Sequence, residues 1–274
     1  MIDTKTLGST AARLVTELAQ REPPIFTLGE AKDLLGAADQ VTSNLLSRLV
    51  RQGWIVRVRR GVYEVAPIWA TRGSFVADRF AGLSRSLDPP YYVGYRSALE
   101  LYGWLQHPVI GRLWVAVPQP RRLLTTPVDR VIWVVTKPDR FEWGVQDKWI
   151  GSVKVPVSDP ERTFLDCLHL PRHAGGVTEV AASFVRAWPT LDQDRLISHA
   201  DRLGNSSVIR RLGVLTQAFD LEHAERLVEQ LPDRRWRGRP VSLDPSLPAG
   251  GEIDRRWGIR MNVPAHELSM VGRT

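Results

Sequence analysis

Residues 39–65 read DQVTSNLLSRLVRQGWIVRVRRGVYEV, and two periodicities follow one another within them. From Asp39 to Gln52 the apolar residues Val41, Leu45, Leu46, Leu49 and Val50 recur at steps of three and four, the spacing of one helix face. That spacing places Val41 with the inward set. It turns Gln40, Ser43, Asn44, Ser47, Arg48 and Arg51 to solvent, with Thr42 at the margin. Gly53 closes the helix. From Trp54 the pattern shortens to a strand-like run in which Ile55, Val56 and Val58 are apolar and Arg57, Arg59 and Arg60 are basic. Arg60-Gly61 supplies a tight turn, because glycine tolerates positive φ, and Val62 and Val65 lead back toward the core. Between Gln40 and Tyr63 there are five arginines and no Asp or Glu.

The residues before this stretch complete a module. Leu7, Ala11, Leu14, Val15 and Leu18 mark a helix over 7–20, stopped by the paired prolines of REPPIF. Thr27 and Glu30 have the spacing of a capping box, which starts a second helix whose inner stripe is Leu28, Ala31, Leu34 and Leu35, with Gly36 at its end. Three helices followed by a basic hairpin are the order of a winged helix-turn-helix. The expected fold class is therefore α+β: a winged-helix DNA-binding domain over 1–70, a boundary near 67–74, and a larger mixed α+β domain over 75–274.

The outward residues of the third helix suit base and phosphate contacts. Gln40 and Asn44 carry amides that pair with adenine, and Arg48 or Arg51 reach guanine or phosphate. Thr42, Ser43 and Ser47 suit short contacts to phosphate or base edges. Arg57, Arg59 and Arg60 on the hairpin are placed to grip the backbone or enter the minor groove. Taken alone, the polar helix face reads equally as a solvated surface. The hairpin and the two preceding helices shift the reading to double-stranded DNA. The net charge of +7 agrees, but 32 arginines against five lysines make it their placement, more than the total, that carries the reading.

Composition narrows the class. The chain has 274 residues, 43% of them hydrophobic and 24% charged, the balance of a globular protein long enough for two domains. No apolar run approaches the ~20 residues of a membrane span, and the first residues lack a secretory layout, so a cytoplasmic protein with no membrane partner is expected. The single Cys167, flanked by Phe164, Leu165 and Leu168, reads as a buried thiol. The six histidines show no metal-ligand spacing, and Pro171 separates His169 from His173. No phosphate-binding glycine loop occurs, and Gly175-Gly176 reads as a turn leading into a helix. No cofactor is expected.

Beyond residue 74 the periodicity predicts helices at 74–87 and 94–104, then strands at 113–117, 131–136 and 149–155. A helix follows over 158–170 with a capping box at Ser158 and Glu161, and further helices over 177–188, 192–203, 206–218 and 221–231. The Pro-, Gly- and Arg-rich tail is expected to be irregular apart from a strand near 259–263. Arg162 and Asp166, four residues apart, read as an ion pair on an exposed helix face with Glu161 as a capping acid. A partly buried constellation positioning the strands is the other reading, and a catalytic role is the less favoured one. Arg234, Arg235, Arg237, Arg239, Arg255 and Arg256 surround Trp236 and Trp257, which suit either further nucleic-acid contact or packing of the tryptophans on the core.

Three segments, in order, resemble AbiEi-type antitoxins. Gly53-Trp54-Ile55-Val56-Arg57-Val58-Arg59-Arg60-Gly61-Val62-Tyr63 is similar to that family's wing signature. Tyr95-Arg96-Ser97-Ala98-Leu99-Glu100-Leu101-Tyr102-Gly103 is similar to the helix that follows in the family. Val157-Ser158-Asp159-Pro160-Glu161-Arg162-Thr163-Phe164-Leu165-Asp166 is similar to its later Glu-Arg-Thr segment. The resemblance covers about 7–185. It implies an antitoxin encoded beside a nucleotidyltransferase-like toxin, binding inverted repeats in its own promoter through the winged helix and repressing the operon. It further implies that the second domain neutralises the toxin without a stable complex, and it places Ser97, Glu161, Arg162 and Asp166 in that domain's motifs. The alternatives are an enzyme targeted by a winged helix to nucleic acid or a protein partner, or a regulator responding to a small ligand.

Overall fold

The computed structural model describes residues 7–21, 24–66, 79–84, 87, 89–106, 111–121, 130–150, 153–219, 221, 224–231 and 238–271. The expected boundary at 67–74, the cluster Arg234, Arg235, Trp236 and Arg237, and His107 and His223 lie outside the described residues.

Helix α1 (Ser9–Ala19) turns Ala11, Leu14, Val15 and Leu18 inward, as its spacing predicts. The chain after it forms a short strand, β1 (Ile25–Thr27), which the sequence reading did not anticipate. Thr27 then caps α2 (Leu28–Leu35): its Oγ1 accepts the Glu30 N–H at 3.2 Å and Glu30 accepts the Thr27 N–H at 2.7 Å, the expected capping box. Helix α3 (Asp39–Gln52) has the predicted bounds and ends at Gly53. Lys32 at the end of α2 pairs with Asp39 in the first turn of α3 at 2.6 Å, holding the two helices at their connection.

Strands β2 (Ile55–Arg59) and β3 (Val62–Val65) form the predicted hairpin, with Gly61 at φ 78° in its turn. The register runs Ile55↔Val65, Val56↔Glu64, Arg57↔Tyr63 and then Arg59↔Val62, so Val58 is the extra residue of a bulge. Strand β1 pairs antiparallel with β3, giving a sheet of order β1-β3-β2. Each face of this sheet meets a different core. Phe26, Ile55, Tyr63 and Val65 pack with Leu14, Leu18, Leu46 and Leu49 of the helices, with the Phe26 and Tyr63 rings stacked at 5.7 Å. Ile25, Val62 and the bulged Val58 face the other way. They join Phe80 and Leu83 of α4 (Arg79–Ser84) and valines of the following sheet. The hairpin is thus anchored from behind to the rest of the chain, while Arg57 and Arg60 remain exposed.

The second sheet contains β4 (Tyr92–Val93), β5 (Arg112–Val117), β6 (Arg130–Val135), β7 (Val145–Ile150) and β8 (Val153–Ser158), with α5 (Tyr95–Leu101) between β4 and β5 in the chain. Its order is β6-β5-β4-β8-β7. The β4–β5 and β7–β8 pairs are antiparallel, and the β4–β8 and β5–β6 pairs parallel. Two expectations are corrected here. The single strand expected over 149–155 is a hairpin, because Val145–Ile150 turns back to pair Ile150 with Val153. The helix expected from Ser158 is α6 (Pro160–His169), capped by Asp159, whose carboxylate accepts the Arg162 N–H at 2.7 Å. Pro160 fits the first helical position, where no N–H partner is needed.

Helices α7 (Val177–Ala187), α8 (Gln193–Leu203), α9 (Ser206–Ala218) and α10 (Glu225–Gln230) follow close to their predicted places. The tail is more ordered than its composition suggests. Strands β9 (Val241–Ser242), β10 (Ile253–Asp254) and β11 (Ile259–Arg260) form a small sheet, and a helix not anticipated, α11 (Ala265–Val271), follows. Asp244 caps α7 from the tail, accepting the Val177 N–H at 2.8 Å. Trp257 lies flat on α9 at Gly213, where an added Cβ would come within 2.4 Å of its ring, and its Nε1 donates to Gln217 at 3.0 Å. Of the two readings of the tail tryptophans, Trp257 takes the core one; Arg255 and Arg256 beside it are exposed. Among the described residues no helix is long and apolar enough to cross a membrane.

Candidate nucleic-acid interface

The exposed side of α3 is built on one repeating step. Gln40, Asn44, Ser47 and Arg51 fall within about 40° on either side of one line along the helix, at 100° per residue, and all four are exposed. Arg48 is also exposed, and Ser43 is half-buried at the opposite margin. Gln40 Nε2 donates to Asn44 Oδ1 at 3.1 Å, so the two amides are held together at the start of the helix. The one acid of the first turn, Asp39, is engaged by Lys32, and from Gln40 onward the face carries no negative side chain.

Two neighbours exchange the places that the spacing assigned them. Thr42 is fully buried, its hydroxyl donating to the Ala38 carbonyl at 3.1 Å, so it is not available for a contact to base or phosphate. Val41, expected inside, is 60% exposed. A threonine that bonds the carbonyl four residues back satisfies its hydroxyl within the helix, and its methyl group then serves as the inward surface. Arg57 and Arg60 extend the basic surface along the hairpin; the Arg59 side chain lies outside the described residues.

The residues singled out in the later motifs occupy interior positions. Ser97 on α5 is buried and its Oγ accepts the Trp114 N–H at 2.9 Å, fastening the helix to β5. Glu161 is buried and accepts the Asp192 N–H at 2.8 Å, so it supports the entry to α8 rather than capping its own helix. The Arg162–Asp166 pair is not on an exposed face. Arg162 Nε donates to Asp166 Oδ1 at 2.9 Å, NH1 to the Arg140 and Trp143 carbonyls at 2.9 and 3.0 Å, and NH2 to the Tyr92 hydroxyl at 3.0 Å. Tyr92 in turn donates to Asp166 Oδ2 at 2.8 Å, and the guanidinium lies 4.1 Å from the Trp143 ring centre. Gly144, at φ 63°, lets the chain pass so close that a Cβ there would meet Arg162 Cβ at 2.8 Å. Burial first, and then Asp166, holds the Tyr92 phenol well above its ordinary range and does the same for the Cys167 thiol. These groups stay protonated and serve packing. Sequence reasoning missed Tyr92 and Trp143, which lie 74 and 23 positions from Asp166 and carry no local signal of meeting it.

A second, largely buried pair lies beside this network. His199 Nε2 and Asp159 Oδ2 lie 2.9 Å apart, with the His199 ring tilted against Trp143. Burial raises the Asp159 carboxyl, but the His199 bond, the Arg162 N–H and nearby positive charge outweigh it, and the carboxyl sits below its ordinary value. His173, packed edge-on against Tyr95, is also shifted down, but here burial is the leading cause and Arg172 the second, and they push it to about 4 from 6.5. Between those values the unfolded chain takes up a proton that the folded chain refuses, so stability falls as pH drops from 6.5 to 4. A His173→Gln variant is expected to show a smaller loss of urea midpoint between pH 7 and pH 4.5 than the parent. Equal losses in the two proteins would show that His173 has no part in the acid sensitivity.

Comparison with known proteins bears on the N-terminal module and on the fold. Residues 13–66 match the family model described as "Transcriptional regulator, AbiEi antitoxin". The crystal structure of the RV2827C protein from Mycobacterium tuberculosis is similar over 99% of this chain and 97% of that one, with a TM-score of 0.70 at 16% sequence identity. At that identity the likeness concerns the fold. No curated protein matches the chain. Over residues 13–66 the chain is therefore similar to transcriptional regulators of the AbiEi antitoxin type.

Proposed function

We propose that the chain is a sequence-selective DNA-binding autorepressor and the antitoxin of a toxin–antitoxin operon. In this reading residues 1–70 are a winged helix-turn-helix. Helices α2 and α3 form the helix-turn-helix, α3 enters the major groove, and the β2–β3 hairpin is the wing on the phosphate backbone. The observation that carries it is the exposed, acid-free face of α3 continuing into the exposed Arg57 and Arg60 of the hairpin, within a segment that matches antitoxin regulators. Gln40 and Asn44 choose bases; Arg48, Arg51 and the hairpin arginines supply sequence-independent attraction. The place of action is then the cytoplasm, on inverted repeats of the chain's own promoter.

The remainder of the chain, residues 75–274, neutralises a nucleotidyltransferase-like toxin without a stable complex. Its motif residues Ser97, Glu161, Arg162 and Asp166 act by holding α5, α6 and the sheet together, since they are buried and bonded within the fold. Co-expression with the product of the adjacent gene tests this half. The full chain is expected to restore growth, and an Asn44→Ala, Arg51→Ala double variant that has lost promoter binding is expected to restore it equally well. Loss of rescue in that variant, with the protein folded and abundant, would tie neutralisation to DNA binding and contradict the division of labour.

A further inference from the structure

We infer that Val41 is a base-reading residue whose isopropyl group packs against the C5-methyl of a thymine in the major groove. The inference rests on the DNA-binding reading of α3 and adds a contact of a different chemical kind to it. Val41 stands in the first turn of α3, the end from which a recognition helix reaches base edges. It is 60% exposed, whereas Leu46 and Leu49 on the same helix are fully buried. Around the helix it lies about 60° from Asn44 and about 20° from Arg48, beside the polar stripe and not behind it.

An isolated exposed valine is ordinary on a protein surface. The surroundings of Val41 are not. The polar groups within one turn of it, the joined amides of Gln40 and Asn44, can pair with the hydrogen-bonding groups of the major groove but not with its one apolar feature. The thymine methyl is the apolar feature of the groove, and it needs an apolar partner. Thr42 has its inward position fixed by the bond to the Ala38 carbonyl, which leaves Val41 outside. A β-branched side chain holds a single χ1 rotamer in a helix, so the isopropyl group is presented without an ordering cost.

The test uses the full chain and the tightest duplex that it selects from a random-sequence library. Each thymine of that duplex is replaced in turn by deoxyuridine, which removes only the methyl group, and affinity is measured for the parent and for Val41→Ala. Removing one buried methyl group corresponds to a drop of about threefold to fivefold. At one thymine per bound subunit the parent is expected to lose that factor while Val41→Ala loses none, and Val41→Ala is expected to bind the unmodified duplex weaker by the same factor. Selective binding with the same deoxyuridine response in both proteins, or with no response at any thymine, overturns the role of Val41 and leaves the DNA-binding reading standing. Failure to enrich any sequence overturns both. Val41 is exposed, and an unchanged circular dichroism spectrum of the variant confirms that its fold is intact.

Discussion

Replacing Arg162 by alanine is expected to destabilise the protein by about 3–5 kcal/mol, enough to remove much of the stability of an ordinary domain. The size follows from what the guanidinium satisfies. It is wholly buried, and its nitrogens serve Asp166, the Tyr92 hydroxyl and the carbonyls of Arg140 and Trp143. Alanine would leave a buried carboxylate with Tyr92 alone, two carbonyls without donors, and a cavity under the Trp143 ring. Lysine would restore charge but not the planar fork that reaches four oxygens at once. An Arg162→Met, Asp166→Leu double variant removes both charges and is expected to recover a large part of the loss, because the cost comes chiefly from the stranded partner. Urea unfolding of the three proteins measures the difference. A loss below about 1 kcal/mol, the scale of an exposed pair, would contradict the buried network.

The second large effect concerns the hairpin. An Arg57→Ala, Arg60→Ala double variant is expected to weaken binding to every duplex, and to lower the slope of log affinity against log salt by about 1.8, close to 0.9 for each phosphate no longer neutralised. Both side chains are exposed, and the hairpin is fixed from behind by Ile25, Val58 and Val62, so the substitutions leave the core untouched. Relative preference among sequences should be unchanged, because backbone contacts carry no base information. Fluorescence anisotropy between about 50 and 200 mM salt measures the slope. A slope equal to the parent's would place the hairpin away from the phosphates.

Much of the N-terminal module was legible because its signals are local. The Thr27–Glu30 capping box, the 39–52 periodicity with Gly53 behind it, and the Arg60-Gly61 turn each depend on residues within a few positions of one another. What escaped depends on distant partners. Strand β1 is three residues long and exists because Tyr63 and Glu64 are there to pair with it. Strand β7 carries Gln146, Asp147 and Lys148, so no apolar alternation announces it, and its pairing with β8 alone defines it. Two misses did have local cues. Asp159 directly before Pro160 is a cap followed by a first-turn proline, a stronger start signal than Ser158. Gly213 in the middle of α9 marked a close approach, which Trp257 makes.

The same limit applies to the sites. The exposed face of α3 was readable from spacing, except where Thr42 satisfied its own hydroxyl and rotated the boundary by one residue. The burial of Arg162 and Asp166 was not readable, since an i, i+4 ion pair looks the same in sequence whether water or Tyr92 and Trp143 surround it. The sheet shared between the cores adds a consequence for the whole chain. Val58 belongs to the hairpin in sequence and to the valine-rich core of the second sheet in space. The basic hairpin is therefore held at a fixed place relative to the rest of the protein.

Whether α3 reads sequence is decided by competition binding of the full chain, with its own promoter fragment against a scrambled duplex of equal length and composition. A preference of at least about a thousandfold for the promoter is expected at physiological salt, reduced by about 1–3 kcal/mol in Asn44→Ala, whose amide is assigned to base reading. Equal affinity of the parent for both duplexes would contradict sequence-selective repression.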